Sequence, residues 1–151
     1  MGFSLNSMFA GDAPMDGAGL ETVIRELVED QMSAMGNVIE FEFENVPLIC
    51  IYDEAHNRMR IISPIKAYSE VTDAEKDQMM ESNFHSALDA RYCVSNDVLY
   101  AAYIHPLSPL KNDDVLSGIY QVASLHLSYG KEYSSGLLSF GKPDEGEPDP
   151  A

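Results

Sequence analysis

Residues 39–62 run IEFEFENVPLICIYDEAHNRMRII. In the first six positions Ile39, Phe41 and Phe43 alternate with Glu40, Glu42 and Glu44. Successive side chains of a strand point to opposite faces, so this strand has one apolar and one acidic face, as in a half-exposed antiparallel sheet. Asn45 to Pro47 breaks the run. Leu48 to Tyr52 is then continuously apolar and reads as a central strand. Asp53-Glu54-Ala55-His56-Asn57 makes a hairpin loop, and Arg58 to Ile62 a third strand, ending before Pro64. Three strands joined by short turns predict an antiparallel sheet.

Upstream, Leu20, Val23, Ile24, Leu27, Val28, Met32 and Met35 recur at helical spacing. They predict a helix from about Leu20 to Met35, with Gly36 and Asn37 as its stop. Downstream, Thr72-Asp73-Ala74-Glu75 has the form of a capping box and starts a second helix, with Met79, Met80, Phe84, Ala87 and Leu88 on its apolar side. Ala90 to Val94 and Val98 to His105 form a hairpin about Ser95-Asn96-Asp97. A third helix starts near Asn112 or Asp113, where acids suit a helix N-terminus, and runs to Gly130 with Leu116, Ile119, Val122, Ala123 and Leu127 inward.

The order is α-β-β-β-α-β-β-α. It predicts an α+β two-layer domain, an antiparallel sheet with helices packed on one face. Residues 1–19, rich in Gly, Ser, Asp and Pro, read as a flexible arm, and residues 20–136 as the single domain. Residues 137–151 read as a disordered acidic tail ending GKPDEGEPDPA.

The chain has 151 residues and a formal charge of −16, with 45% hydrophobic residues. One domain of that size buries a core without metal or disulfide staples. The charge opposes binding to nucleic acid or to an anionic membrane surface. The first residues carry neither the basic segment nor the sustained apolar segment of a secretory leader, and Cys50 and Cys93 lie in strand-like runs, so a cytoplasmic protein with two reduced thiols is expected.

No catalytic motif stands out. His56, His85, His105 and His126 show no metal spacing, no nucleophile elbow is present, and Gly17-Ala18-Gly19 lacks both a preceding strand and a phosphate-loop lysine. Asp53, Glu54 and His56 read as a solvated turn rather than a metal site. A non-enzyme without metal or cofactor is expected. Arg58 and Arg60 share a strand face, with Lys66 beyond them; they read as cross-strand partners of the acidic row, or alternatively as contacts for a small anion. Flexible methionine side chains suit surfaces that accommodate varied partners.

Residues 79–110, MMESNFHSALDARYCVSNDVLYAAYIHPLSPL, resemble the central block of the YbjN family within the type III secretion chaperone-like superfamily. The matching features are Asn83 near the end of the middle helix, the turn at Asn96 and Asp97, and an apolar strand running into Pro106 and Leu107. The resemblance extends over roughly residues 20–130 in element order. It implies a small, acidic, homodimeric, cytoplasmic protein without enzymatic activity. The secretion chaperones it resembles hold extended segments of another polypeptide, whereas YbjN-like members are described as sensory-transduction or stress regulators.

On that basis the primary expectation is a chaperone-like or adaptor module that binds another protein. Met79, Met80, Phe84 and Tyr100 are the candidates for self-association, and Leu20, Ile24 and Val28 for partner contact. The alternative is a regulator sensing a small anionic ligand at Arg58, Arg60 and Lys66.

Overall fold

Two-residue turns set the register of the sheet. The computed structural model describes residues 13–136. Glu44 and Asn45 take φ of 54° and 65° between the paired residues Phe43 and Val46. Asn96 and Asp97 take 48° and 64° between the paired Ser95 and Val98. Turns of that hand match the twist of the flanking strands, and asparagine tolerates the left-handed region better than most residues. Gly36, with φ of 62°, opens a further such turn between Met35 and Val38.

The strands are β1 (Met32–Met35), β2 (Val38–Phe43), β3 (Val46–Asp53), β4 (Arg58–Ala67), β5 (Arg91–Ser95) and β6 (Val98–Pro106). They form one sheet in the order β1-β2-β3-β4-β6-β5, antiparallel throughout. The helices are α1 (Gly17–Val28), α2 (Asp73–His85) and α3 (Asn112–Ser128). α3 crosses β3, β4, β6 and β5; α1 packs beside it on β1 and β2; α2 lies against β5. The expected α+β architecture, an antiparallel sheet with helices packed on it, is the observed one.

The core lies between α1, α3 and the sheet. Leu20 and Ile24 meet Val115, Ile119 and Val122 over Ile39, Leu48, Cys50, Met59, Ile61 and Leu99, all of them buried. Each large aliphatic side chain buried there contributes about 1.5–3 kcal/mol. Burial also pushes the Cys50 thiol up to about 12. Gly118 lets α3 settle on β6, since a Cβ there would stand 2.6 Å from the Tyr103 ring.

The first helix is shorter than its periodicity predicts, and Met32–Met35 forms an edge strand instead. Asp16 caps α1 by accepting from the Gly19 amide, so the helix also begins three residues earlier. It ends at Val28, and Glu29 leaves it with φ of 59°. Glu29 and Asp30 set two carboxylates against the negative end of the helix dipole, which disfavours continuing the helix. Gly36-Asn37 is therefore a hairpin turn, not a helix stop. β4 also runs past Pro64: the register shifts between Pro64 and Lys66, and such an irregularity accommodates a residue with no amide to donate. The second helix does begin at the capping box, where Thr72 accepts from Glu75 N–H and Glu75 accepts from Thr72 N–H. All of the expected acidic tail, and residues 1–12 of the expected arm, lie outside the described residues.

Candidate binding surface

Alternation along each strand sends the other half of the side chains away from α1 and α3. The register aligns them in rows across the sheet. One row is Met35, Val38, Ile51, Arg60 and Ile104; the next is Ser33, Glu40, Ile49, Ile62, Ala102 and Arg91. A third includes Pro64, Tyr100 and Cys93. This face is apolar at its centre. Ile49, Ile51, Ile62 and Tyr100 are half-buried, while Ile104 is 46% and Met35 79% exposed. Among the described residues no helix packs over it. Leu48 to Tyr52 is apolar on both faces, yet only one face is covered.

Arg58 and Arg60 project onto this open face. Arg60 stands between Ile51 and Ile104, and Arg58 stands opposite Asp53. The expected pairing of Arg60 with the acidic row does not form, because Val38, not a glutamate, shares its row. Lys66 is on the other side of the sheet, opposite buried Leu99, with its ammonium 5.6 Å from the centre of the Tyr129 ring. The structure thus brings Arg58 and Arg60 together and separates Lys66 from them. Cys93 sits on the open face near Arg60 and Arg91. Partial burial raises its pKa, and the two guanidiniums work against that rise. Ile51, Arg60, Ile62, Cys93, Tyr100 and Ile104 border a shallow groove of about 330 Å³.

The two sheet edges differ. Asn83 on α2 accepts from the Tyr92 amide at 2.9 Å and donates to the Tyr92 carbonyl at 3.3 Å, so a carboxamide occupies the outer side of β5. No described strand pairs with the outer side of β1, which leaves a backbone edge for a further strand. Of the four candidate self-association residues, Met79 is buried, whereas Met80 is 70% and Phe84 84% exposed. Tyr100 is half-buried on the open face. Leu88, also exposed, has φ of 61° in the loop after α2. The apolar side read for the second helix therefore divides: Met79 enters the core, and Met80, Phe84 and Leu88 face solvent. Of the candidate partner contacts, Leu20 and Ile24 are fully buried and Val28 is half-buried at the end of α1. Core packing takes the first two.

The titratable side chains do not converge. His56 and Asp53 pair at 2.9 Å on the exposed hairpin, and that hydrogen bond lowers the Asp53 pKa. His105 Nδ1 donates to the Pro106 carbonyl. His126 Nδ1 lies 2.7 Å from Ser63 Oγ, which donates to the Pro47 carbonyl, and burial lowers the His126 pKa. Among the described residues no three His, Cys, Asp or Glu side chains are grouped to hold a metal, and no helix is long and apolar enough to cross a membrane. The apolar character of the uncovered face and the β5 brace escaped the sequence reading. The signal available for the first was the two-sided apolarity of Leu48 to Tyr52.

No protein-family model matches the chain, and no curated protein matches it. Chains of solved structures do match in fold. One comes from the structure of the HopA1–SchA chaperone–effector complex: 12% identity, TM-score 0.52, covering 77% of this chain and 98% of that one. Another comes from the crystal structure of the ExsC–ExsE complex: 11% identity, TM-score 0.52, covering 71% and 90%. At such identities the likeness is one of fold.

Proposed function

We propose that this chain is a non-enzymatic, chaperone-like protein that holds an extended segment of another polypeptide. The observation that carries this is the open sheet face, apolar along Ile49, Ile51, Ile62, Tyr100 and Ile104 where a solvated face would be polar. An extended segment lying across that face would cover these side chains, and where it reaches the free edge of β1 it would gain main-chain hydrogen bonds as well. The fold shared with chains of a chaperone–effector complex and of the ExsC–ExsE complex supports the reading. Self-association through Met80 and Phe84 belongs to the same proposal, as does a cytoplasmic location. The narrower kinship with the YbjN family rests on Asn83, the turn at Asn96 and Asp97, and the apolar strand running into Pro106 and Leu107.

The test is affinity capture of the full chain from its own cells, beside an Ile62→Asp, Ile104→Asp variant. One stoichiometric polypeptide, retained by the wild type at high salt and lost by a variant that still melts cooperatively, is expected. Equal retention by both, or no bound polypeptide, would remove the proposal. The anion-sensing alternative is weaker, because it loses Lys66 and keeps Asp53 directly opposite Arg58.

A further inference from the structure

Beyond Ile49 and Ile62 the ladder between β3 and β4 stops. The next outward positions on the two strands are Pro47 and Pro64, and neither has an amide to give to a neighbour. β3 goes on pairing with β2 as far as Val46, and β4 with β6 as far as Ala67, so the two strands part while each stays in the sheet. One side-chain bond spans the parting: the buried Ser63 Oγ donates to the Pro47 carbonyl at 2.8 Å.

On the open face, a shallow groove of about 490 Å³ lies over this parting. Pro47, Ile49 and Pro64 supply its apolar lining, and Glu40 and Glu42 flank it on β2. The alternation that buries Ile39, Phe41 and Phe43 leaves both glutamates exposed, Glu40 opposite Ile49 and Glu42 opposite Pro47. Neither forms an ion pair among the described residues. The cations of this face stand elsewhere. Arg60 belongs to the row of Val38 and Ile51, and Arg91 ends the row of Glu40 four strands away, about 19 Å by strand spacing. Among the described residues no third ligating side chain joins the two glutamates to hold a metal. Two unpaired carboxylates beside an apolar groove suit a cation carried on an apolar stem. A lysine or arginine lays its methylenes on such a surface and extends its charged end to the rim.

We propose that the groove over the β3–β4 parting takes an extended segment of a foreign polypeptide in which basic residues stand among apolar ones. The apolar side chains lie on Pro47, Ile49 and Pro64, and a lysine or arginine meets Glu40 and Glu42. The proposal rests on the reading of this chain as a holder of polypeptide and names the chemistry of what is held. The charge of −16 draws any basic segment towards the molecule, whereas the groove fixes where its basic residue rests.

The experiment titrates the full chain against three short fluorescent peptides and reads binding by anisotropy. The peptides share their apolar residues and differ only at two positions among them, filled by lysine, by serine or by glutamate. The wild type is expected to hold the lysine peptide about fivefold tighter than the serine peptide, and the glutamate peptide most weakly. That preference is expected to shrink at high salt. Glu40→Gln, Glu42→Gln is expected to bring the lysine peptide to the affinity of the serine peptide and to leave the serine peptide unchanged. Both side chains are exposed, so this variant keeps its melting curve. Glu26→Gln, Glu81→Gln removes the same charge from α1 and α2 and is expected to keep the preference. Equal loss of the preference in the two variants would assign it to overall charge and overturn the proposal. Its survival in Glu40→Gln, Glu42→Gln would do the same. Equal binding of the lysine and serine peptides by the wild type, lost in Ile62→Asp, Ile104→Asp, overturns the proposal and leaves the polypeptide-holding reading in place. Binding of none of the three also overturns it, and capture from cells then decides that reading by itself.

Discussion

The Asn83 carboxamide accepts from the Tyr92 amide and donates to its carbonyl, supplying at one position what a neighbouring strand would supply. Asn83→Ala leaves both backbone groups without that partner at a largely buried edge. It is expected to cost about 1–3 kcal/mol in chemical denaturation, and an unchanged midpoint would show that water replaces the side chain. His126 gives a pH prediction. Ser63 Oγ commits its proton to the Pro47 carbonyl, so His126 Nδ1 donates to Ser63. Burial lowers the folded pKa of His126 below the ordinary 6.5. As pH falls below that value the unfolded chain takes up a proton that the folded chain resists, so stability drops through this window down to the folded pKa. Wild-type Tm should therefore fall more steeply than that of His126→Gln between about pH 7 and pH 5; parallel curves would contradict this. Leu88→Gly relieves a left-handed leucine and removes little buried surface. Its stability should stay level or rise by up to about 1 kcal/mol, and a clear loss in thermal melts would mean that Leu88 is covered.

At the scale of elements, legibility followed the strength of the local signal. The period-2 alternation from Ile39 to Phe43 admits only a strand, and the Thr72–Glu75 box only a helix start; both stand where the sequence puts them. β1 was not legible because four residues are too few to show a period, and Met32 and Met35 also fit the preceding helical spacing. The acids at Glu29 and Asp30 were the contrary signal. The candidate surface was legible only in pieces. Met80, Phe84, Arg58, Arg60 and Tyr100 were each nameable, but their exposure, and the separation of Lys66, depend on which face α1 and α3 cover. Gly118 was invisible for a related reason: its value is the closeness of Tyr103, a partner from another element. Gly118→Ala would push α3 away from β6, at an expected cost of about 1–3 kcal/mol; a neutral change would mean that the Tyr103 ring can move aside.

At the scale of the whole molecule, the charge of −16 acts against association while exposed apolar side chains favour it. Two copies meeting through Met80 and Phe84 would bring like charges together, and salt screens that repulsion. Self-association should therefore tighten as ionic strength rises. Both α2 side chains are mostly exposed, so Met80→Asp, Phe84→Asp removes little core, and stability should shift by no more than about 0.5 kcal/mol per site. Light scattering across a range of concentrations is expected to show a wild-type dimer, strengthened by salt, and a monomeric variant with an unchanged melting curve. A wild type that stays monomeric at every salt concentration, or a variant that still dimerises, would take α2 out of the interface and leave the open sheet face as the surface to explain.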